Sequence, residues 1–255
     1  NPEELFFEHS WSRLQRVHYR AVFNWLTKYK NSEEASNLDK VRGYLEAVYH
    51  LCQLGDWRRA AIILKLSLRN EDTGMTCELT HQLEIWGYYT EQIAVYELLN
   101  NEKVDPDIRI QALTGLGNVY GHFSNYPYAI SFSQKSLDLS RQIGNIPSRA
   151  AALINLGIAN AGLGKFEESE SHFKEGLSIA KNAGLVKEQA KILGNLGNVY
   201  GNQRKFQQAI DYLEQSLELA RQVGDRFIEA KALGNLGNVY GYLKQYDRAE
   251  TYFEY

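Results

Sequence analysis

The sequence predicts an all-α fold, an α-solenoid built from stacked helix–turn–helix repeats. The first observation is an internal duplication, in which residues 190–201 recur as residues 230–241 with a single difference. The second is the spacing, because weaker copies that begin at Gln111 and Ala151 keep the same period of 40 residues. A fixed period of roughly 20–50 residues is typical of arrays in which one small unit is repeated and no unit folds alone.

Each repeat is predicted to contain two helices. In the third repeat the first helix is expected over residues 186–202, where Ile192, Leu196 and Tyr200 recur at the spacing of an apolar helix face. Gly197 lies on the same face, although glycine costs a helix about 1 kcal/mol relative to alanine. We therefore expect Gly197 to serve a close approach of the neighbouring helix.

The second helix of each repeat follows a short polar turn. An aromatic residue is expected to open this helix, and a glycine in the left-handed conformation is expected to end it. The opening aromatic residues are Tyr126, Phe166, Phe206 and Tyr246, and the closing glycines are Gly144, Gly184 and Gly224.

These patterns divide the chain into three segments. Residues 107–255 hold the regular 40-residue repeats, of which the last is expected to be truncated. Residues 39–106 are expected to form divergent helix pairs, with turns near Gly55 and Trp86. Residues 1–38 are expected to form N-terminal capping helices and a polar linker. Divergence of this kind is typical of terminal repeats in an array.

The composition narrows the range of partners. A formal net charge of −3, from 28 basic and 31 acidic residues, provides no field that would attract nucleic acid or an anionic membrane. No apolar run approaches the roughly 18–20 residues of a membrane span, and no signal peptide is recognised. Cys52 and Cys77 lack metal-ligand spacing and are interpreted as buried thiols in a reducing compartment. These observations predict a cytoplasmic protein without a nucleic-acid, membrane, metal or cofactor partner.

The repeat is similar to the tetratricopeptide repeat. The run LGNVY at residues 196–200 is followed by Ala209 and Leu213 at the positions where that family carries a small and a large apolar residue. The 40-residue period exceeds the family's usual length of about 34 residues. In this it resembles the long repeats of kinesin light chains and of Gly-Asn-rich cell-polarity adaptors. The resemblance implies a right-handed superhelix whose concave groove is lined by the first helix of each repeat.

Polar residues on the non-core side of the first helices form the predicted binding site. Asparagine is a mediocre helix former, so helix propensity does not explain its recurrence there. Its amide offers donors and an acceptor, which can hold an extended peptide without reading its sequence. Lysines in the same row add a preference for acidic side chains or a free C-terminal carboxylate.

The resemblance supports this interpretation, since many tetratricopeptide proteins hold peptides with asparagine and lysine at matching positions. The predicted peptide-binding residues are Asn118, Asn155, Lys191, Asn195, Asn198, Asn202, Lys231, Asn235, Asn238 and Tyr242. The alternative is that the asparagines bond neighbouring helices, or recur only because the segment was duplicated.

The predicted function is a protein-interaction module that binds a peptide or a partner surface in the concave groove. No catalytic residue is predicted, because the sequence has no nucleophile elbow, phosphate-binding loop or zinc-ligand pattern. The segment 14–26, followed by divergent helices and near-identical repeats, resembles the arm that joins a nucleotide-binding domain to its sensor in bacterial NLR-like signalling ATPases. This resemblance implies the ligand-sensing part of a larger bacterial signalling or defence protein. A general scaffold or adaptor and a receptor for a short signalling peptide are the alternatives. Apolar surface left open at the last repeat also predicts self-association.

Overall fold

The structure is a computed structural model that describes residues 11–30, 34–69 and 76–254. It divides into two compact units, Asn1–Val119 and Tyr120–Tyr255, which are described separately. Helices make up most of the described part of each unit. The predicted all-α class is therefore confirmed.

The first unit combines helices of varied length with one small hairpin. Its described elements are α1 (Arg13–Thr27), α2 (Asn37–Gln53), α3 (Trp57–Leu64), β1 (Ser67–Arg69), β2 (Thr76–Glu78), α4 (Leu79–Ile85), α5 (Tyr89–Leu99) and α6 (Pro106–His122), whose last residues belong to the second unit. The helix pair α2 and α3 turns at Gly55, which has a φ of 74°, as the sequence predicts.

Two features of the first unit differ from the prediction. The β1–β2 hairpin was not predicted, because strands of three residues are too short to produce an alternating pattern. Helix α2 begins inside the predicted linker, where the hydroxyl of Ser36 accepts a hydrogen bond from the backbone N–H of Asp39 and so caps the helix. The apolar residues predicted to begin the first capping helix, at positions 3–10, lie outside the described residues.

The second unit is a series of stacked helices. They are α7 (Tyr126–Ile143), α8 (Ile146–Gly162), α9 (Phe166–Asn182), α10 (Val186–Asn202), α11 (Phe206–Val223), α12 (Arg226–Tyr242) and α13 (Tyr246–Glu254). Helix α9 packs against both α8 and α10, and α11 packs against both α10 and α12. The solenoid prediction is therefore confirmed within this unit. Each second helix begins at its predicted aromatic residue.

Left-handed residues mark two turns in each repeat. The glycines predicted to end the second helices have positive φ, which confirms their role as caps; they are Gly144 at 74°, Gly184 at 67° and Gly224 at 69°. The turn inside the repeat uses Gly164 in one copy, but Arg204 and Lys244 in the next two, each with a φ of 59°. A side chain in this conformation costs roughly 1–2 kcal/mol, so these two turns are locally strained.

Small residues let the two helices of a repeat pack closely. A Cβ atom added to Gly157 would lie 2.5 Å from the ring of Phe173, and one added to Gly197 would lie 2.5 Å from Leu213. The expected close approach at Gly197 is thus confirmed. Buried serines of the second helix use the same proximity, since Ser169 Oγ donates to the Gly157 carbonyl at 2.7 Å.

Candidate functional site

One side of each first helix carries a straight row of residues at positions i, i+4, i+7 and i+11, which we call the stripe. Residues at these spacings share one face of an α-helix. The stripes of the second unit are Ala151, Asn155, Ile158 and Gly162 on α8, then Lys191, Asn195, Asn198 and Asn202 on α10, and Lys231, Asn235, Asn238 and Tyr242 on α12. Helix α10 lies between α8 and α12 and contacts both, so the three stripes are neighbours.

A contact between side chains joins the stripes of α10 and α12. The Lys231 ammonium lies 3.5 Å from Asn195 Oδ1, a long hydrogen bond. Lys231 is exposed as a whole residue, yet the burial of its ammonium group lowers its pKa, and the nearby charge of Lys191 lowers it further. The two lysines therefore form one positive region, and an anionic ligand would relieve the repulsion between them.

The predicted asparagines differ in how far a ligand can reach them. Asn202 and Asn238 are exposed and Asn198 is half-buried, so a ligand can reach these residues. Asn195 is only 8% exposed, and its amide oxygen already accepts from Lys231. For this residue the alternative interpretation, a bond between neighbouring helices, fits the geometry.

Asn235 is half-buried, and its amide nitrogen is buried without a hydrogen-bond partner among the described residues. An unsatisfied buried donor costs about 1–3 kcal/mol. A small rotation of this side chain toward a ligand carbonyl would remove that cost.

Two other predicted residues belong to the stripes of α8 and α12. Asn155 is half-buried on α8, and Tyr242 is 74% exposed at the end of α12. The Tyr242 ring stacks on Phe206 of the preceding repeat with a centroid distance of 6.0 Å. Tyr242 thus contributes to repeat stacking while most of its surface stays open.

Asn118, the remaining predicted residue, belongs to the first unit. It is half-buried, and its amide nitrogen lies 3.5 Å from Glu84 Oε1 within that unit. Asn118 therefore has an internal partner of its own.

An ion pair at the edge of the positive region was not predicted from the sequence. Lys187 Nζ lies 2.8 Å from Asp225 Oδ2. Burial alone would raise the pKa of Asp225, but hydrogen bonds from Lys187 and the Ile228 backbone N–H, together with the charges of Lys187 and Lys191, lower it overall. Asp225 thus stays ionised and competes with an anionic ligand for Lys191. The signal in the sequence was an aspartate at a helix N-cap, directly after Gly224.

Residues 11–30, 34–69 and 76–254 contain no group of three His, Cys, Asp or Glu side chains placed to hold a metal ion. Both cysteines are free, and they are half-buried, whereas the sequence predicts buried thiols. Burial, together with the charge of Asp56, raises the pKa of the Cys52 thiol to about 11, which disfavours its reactive thiolate form. In the same ranges no helix is at once long and apolar enough to traverse a lipid bilayer.

Comparison with solved structures finds the same fold in several proteins. BtubC (BKLC) from P. vanneervenii has a TM-score of 0.62 and 18% identity, covering 86% of this chain and 89% of that one. The Rap conjugation gene regulator of the plasmid pLS20, solved with the Phr* peptide, has a TM-score of 0.65 and 14% identity over 96% of this chain and 63% of that one.

A third structure is the Pyrococcus horikoshii signal transduction ATPase with numerous domains (STAND), which has a tetratricopeptide repeat sensor. It has a TM-score of 0.58 and 17% identity, over 98% of this chain. This chain spans only 40% of that protein, so the similarity is to a part of it. No curated protein matches the sequence.

The family model named Tetratricopeptide repeat matches residues 109–182 and 188–254, which together exceed half of the chain. Its matches cover the helices of the second unit from α7 to α13 and the greater part of α6. Repeat period, helix boundaries and glycine contacts agree with this match, and the chain belongs to the tetratricopeptide repeat family.

Proposed function

We propose that this protein-interaction module binds an extended peptide segment of a partner across the stripes of α8, α10 and α12. The contact between Lys231 and Asn195 carries the proposal, because it joins the polar rows of α10 and α12, and α8 packs beside α10. Amides along such a surface can donate to and accept from a peptide backbone, whatever its sequence. The Rap conjugation gene regulator of the plasmid pLS20, which shares the fold, is in complex with the Phr* peptide in its solved structure, and this supports a peptide as the partner.

We propose that the bound segment is acidic or ends in a free carboxylate. The ammonium groups of Lys191 and Lys231 are close enough for one charge to lower the pKa of the other. Hydrogen bonds from ammonium groups to carboxylates are roughly twice as strong as neutral ones. A carboxylate would therefore gain most where these two side chains meet.

The proposal is tested by changing the two accessible amides together, Asn198→Ala and Asn238→Ala. Phage display of random peptides on the wild-type chain supplies the probe, and the most enriched peptide is synthesised with a fluorescent label; we call it the selected peptide. Loss of hydrogen bonds worth about 0.5–1.5 kcal/mol each should weaken its binding roughly tenfold in fluorescence anisotropy.

Asn182→Ala is the matched control, since Asn182 is exposed on α9 outside the stripes. This variant should bind the selected peptide as the wild type does. Unchanged binding by the double variant, or selection of no peptide at all, would contradict the proposal.

We propose that the module is the ligand-sensing part of a larger signalling protein. The signal transduction ATPase from Pyrococcus horikoshii supports this role, because its sensor is built from tetratricopeptide repeats. The gene that encodes the chain distinguishes this role from that of a general scaffold or peptide receptor. A sensor that belongs to a signalling ATPase requires a nucleotide-binding domain with a phosphate-binding loop in the same polypeptide.

We propose that the face formed by α12 and α13 also associates with a second copy of the chain. Tyr246 is 67% and Phe253 is 58% exposed. Their equivalents one repeat earlier are covered, since Phe206 stacks on Tyr242 and Leu213 is fully buried. Exposed aromatic surface of this kind favours association.

Sedimentation equilibrium should therefore show a mass that rises with protein concentration, and Phe253→Ser should reduce this rise. Phe123→Ser, at a residue that is 52% exposed in the turn after α6, is the control and should leave it unchanged. A wild-type mass equal to one chain at every concentration would refute the association.

A further inference from the structure

At two of its four positions the stripe of α8 is apolar where the stripes of α10 and α12 are polar. Ile158 occupies the position of Asn198 and Asn238, and Ala151 occupies the position of Lys191, one period of 40 residues earlier. Ile158 is 38% exposed. The repeats thus share a backbone but present two different chemistries on neighbouring parts of one surface.

The core of the unit does not account for Ile158. Its neighbours Leu156, Gly157 and Ala159 are among the buried residues of α8, and Gly157 packs on the ring of Phe173. In the next two repeats the position of Ile158 carries an asparagine that reaches solvent. A single exposed isoleucine is ordinary on a protein surface, so its neighbours decide its meaning.

A second apolar group lies beside Ile158. The stripe position that follows it is Gly162, and a Cβ atom there would collide with the ring of Tyr126. The half-buried Tyr126 ring therefore lies against the exposed Gly162 at the end of the α8 stripe, one helical turn from Ile158. We call Ile158, Gly162 and Tyr126 the apolar step.

We infer that the apolar step selects peptides with an apolar side chain at a fixed distance from the acidic residue held by the lysines. This inference rests on the proposed function and names the specificity of the same site. The occupant is one apolar side chain of the bound segment. The contact of this apolar side chain adds to the contact of the carboxylate, because Ile158 of the apolar step and Lys191 of the positive region lie on the neighbouring helices α8 and α10.

The repeat geometry fixes the spacing of the two side chains. Packed helices lie about 10 Å apart. The position of Lys191 is also displaced from that of Ile158 by seven residues along the helix axis, or about 10 Å. The diagonal of about 14 Å corresponds to roughly four residues of extended chain, whose side chains at i and i+4 point to the same side. The preferred peptide therefore has an apolar residue four positions from an acidic one.

Phage display of random peptides on the wild type and on Ile158→Asn tests the inference. The wild type should enrich an apolar residue about four positions from an acidic residue, in one chain direction. Ile158→Asn should enrich acidic residues without that apolar partner. Replacing the apolar residue of the selected peptide by serine should weaken wild-type binding about tenfold, and binding to Ile158→Asn by less than twofold.

The control is Ile143→Asn, because Ile143 is 40% exposed on α7 and lies outside the stripes. It should retain the wild-type preference. If the wild type enriched acidic peptides that lack an apolar residue at this spacing, the inference would be overturned and the proposed function would stand. The same preference in Ile158→Asn would also overturn it. Failure to enrich any peptide would overturn both.

Discussion

Replacing Gly157 with alanine should lower the free energy of unfolding by about 1–2 kcal/mol. The added methyl group would lie 2.5 Å from the ring of Phe173, which is 1% exposed and therefore enclosed by other residues. Alanine is a better helix former than glycine by about 1 kcal/mol, but overpacking of the buried ring outweighs this gain. Urea unfolding followed by circular dichroism measures the change.

Two other glycines provide matched controls. Gly237 has the same place in its repeat, but its neighbour Phe253 is 58% exposed and can turn aside, so Gly237→Ala should be close to neutral. Gly234 has no atom within contact distance of an added methyl, so Gly234→Ala should stabilise the protein by up to about 1 kcal/mol. Equal effects at Gly157 and Gly234 would show that the contact with Phe173 does not constrain the helices.

The charge-reversing double change Lys191→Glu and Lys231→Glu should weaken binding of the selected peptide about 100-fold. Each reversal replaces attraction of a peptide carboxylate by repulsion. We expect each one to cost about 1.4 kcal/mol of binding free energy, or tenfold in affinity. Fluorescence anisotropy at two salt concentrations measures the loss. Wild-type binding should weaken as salt rises, because added ions screen the attraction of the lysines. Binding by the variant should strengthen, because the same ions screen the repulsion of its glutamates.

The same pair of lysines predicts a dependence on pH. Burial of the Lys231 ammonium and the charge of Lys191 lower the Lys231 pKa. As pH rises, Lys231 therefore loses its charge at a lower pH than an ordinary lysine does, and affinity for the acidic peptide should decline as that charge is lost.

The control for the charge-reversed variant carries Lys135→Glu and Lys181→Glu, two exposed lysines on second helices, and should bind the selected peptide normally. Equal losses in both double variants would point to net charge and exclude a specific role of the stripe lysines.

The helices of the second unit could be predicted from the sequence because their determinants are local. Phe206 begins its helix, Gly224 ends the same helix in the left-handed conformation, and both recur at each period. The β1–β2 hairpin of the first unit could not be predicted. It depends on pairing between two strands of three residues, and such segments carry no periodic signal.

The row of candidate binding residues could also be predicted, but their accessibility could not. Helical spacing places Asn195 and Asn198 on one face, yet contact with the next repeat buries Asn195 and leaves Asn198 open to solvent. The pairing of Lys187 with Asp225 joins two repeats in the same way. Such contacts depend on how repeats stack, which the periodicity of one repeat does not specify.

The equivalence of successive repeats bears on how the gene can change. The first helices α10 and α12 share the run of residues 190–201 and 230–241 with a single difference, and each helix follows a left-handed glycine, Gly184 or Gly224. Recombination that removes or adds one period of 40 residues would rejoin the chain between equivalent turns. The packing between neighbours would be rebuilt from contacts that already exist, since each repeat touches only the next. The number of repeats can therefore change from one generation to the next, while the contacts between neighbouring repeats stay those that the chain already makes.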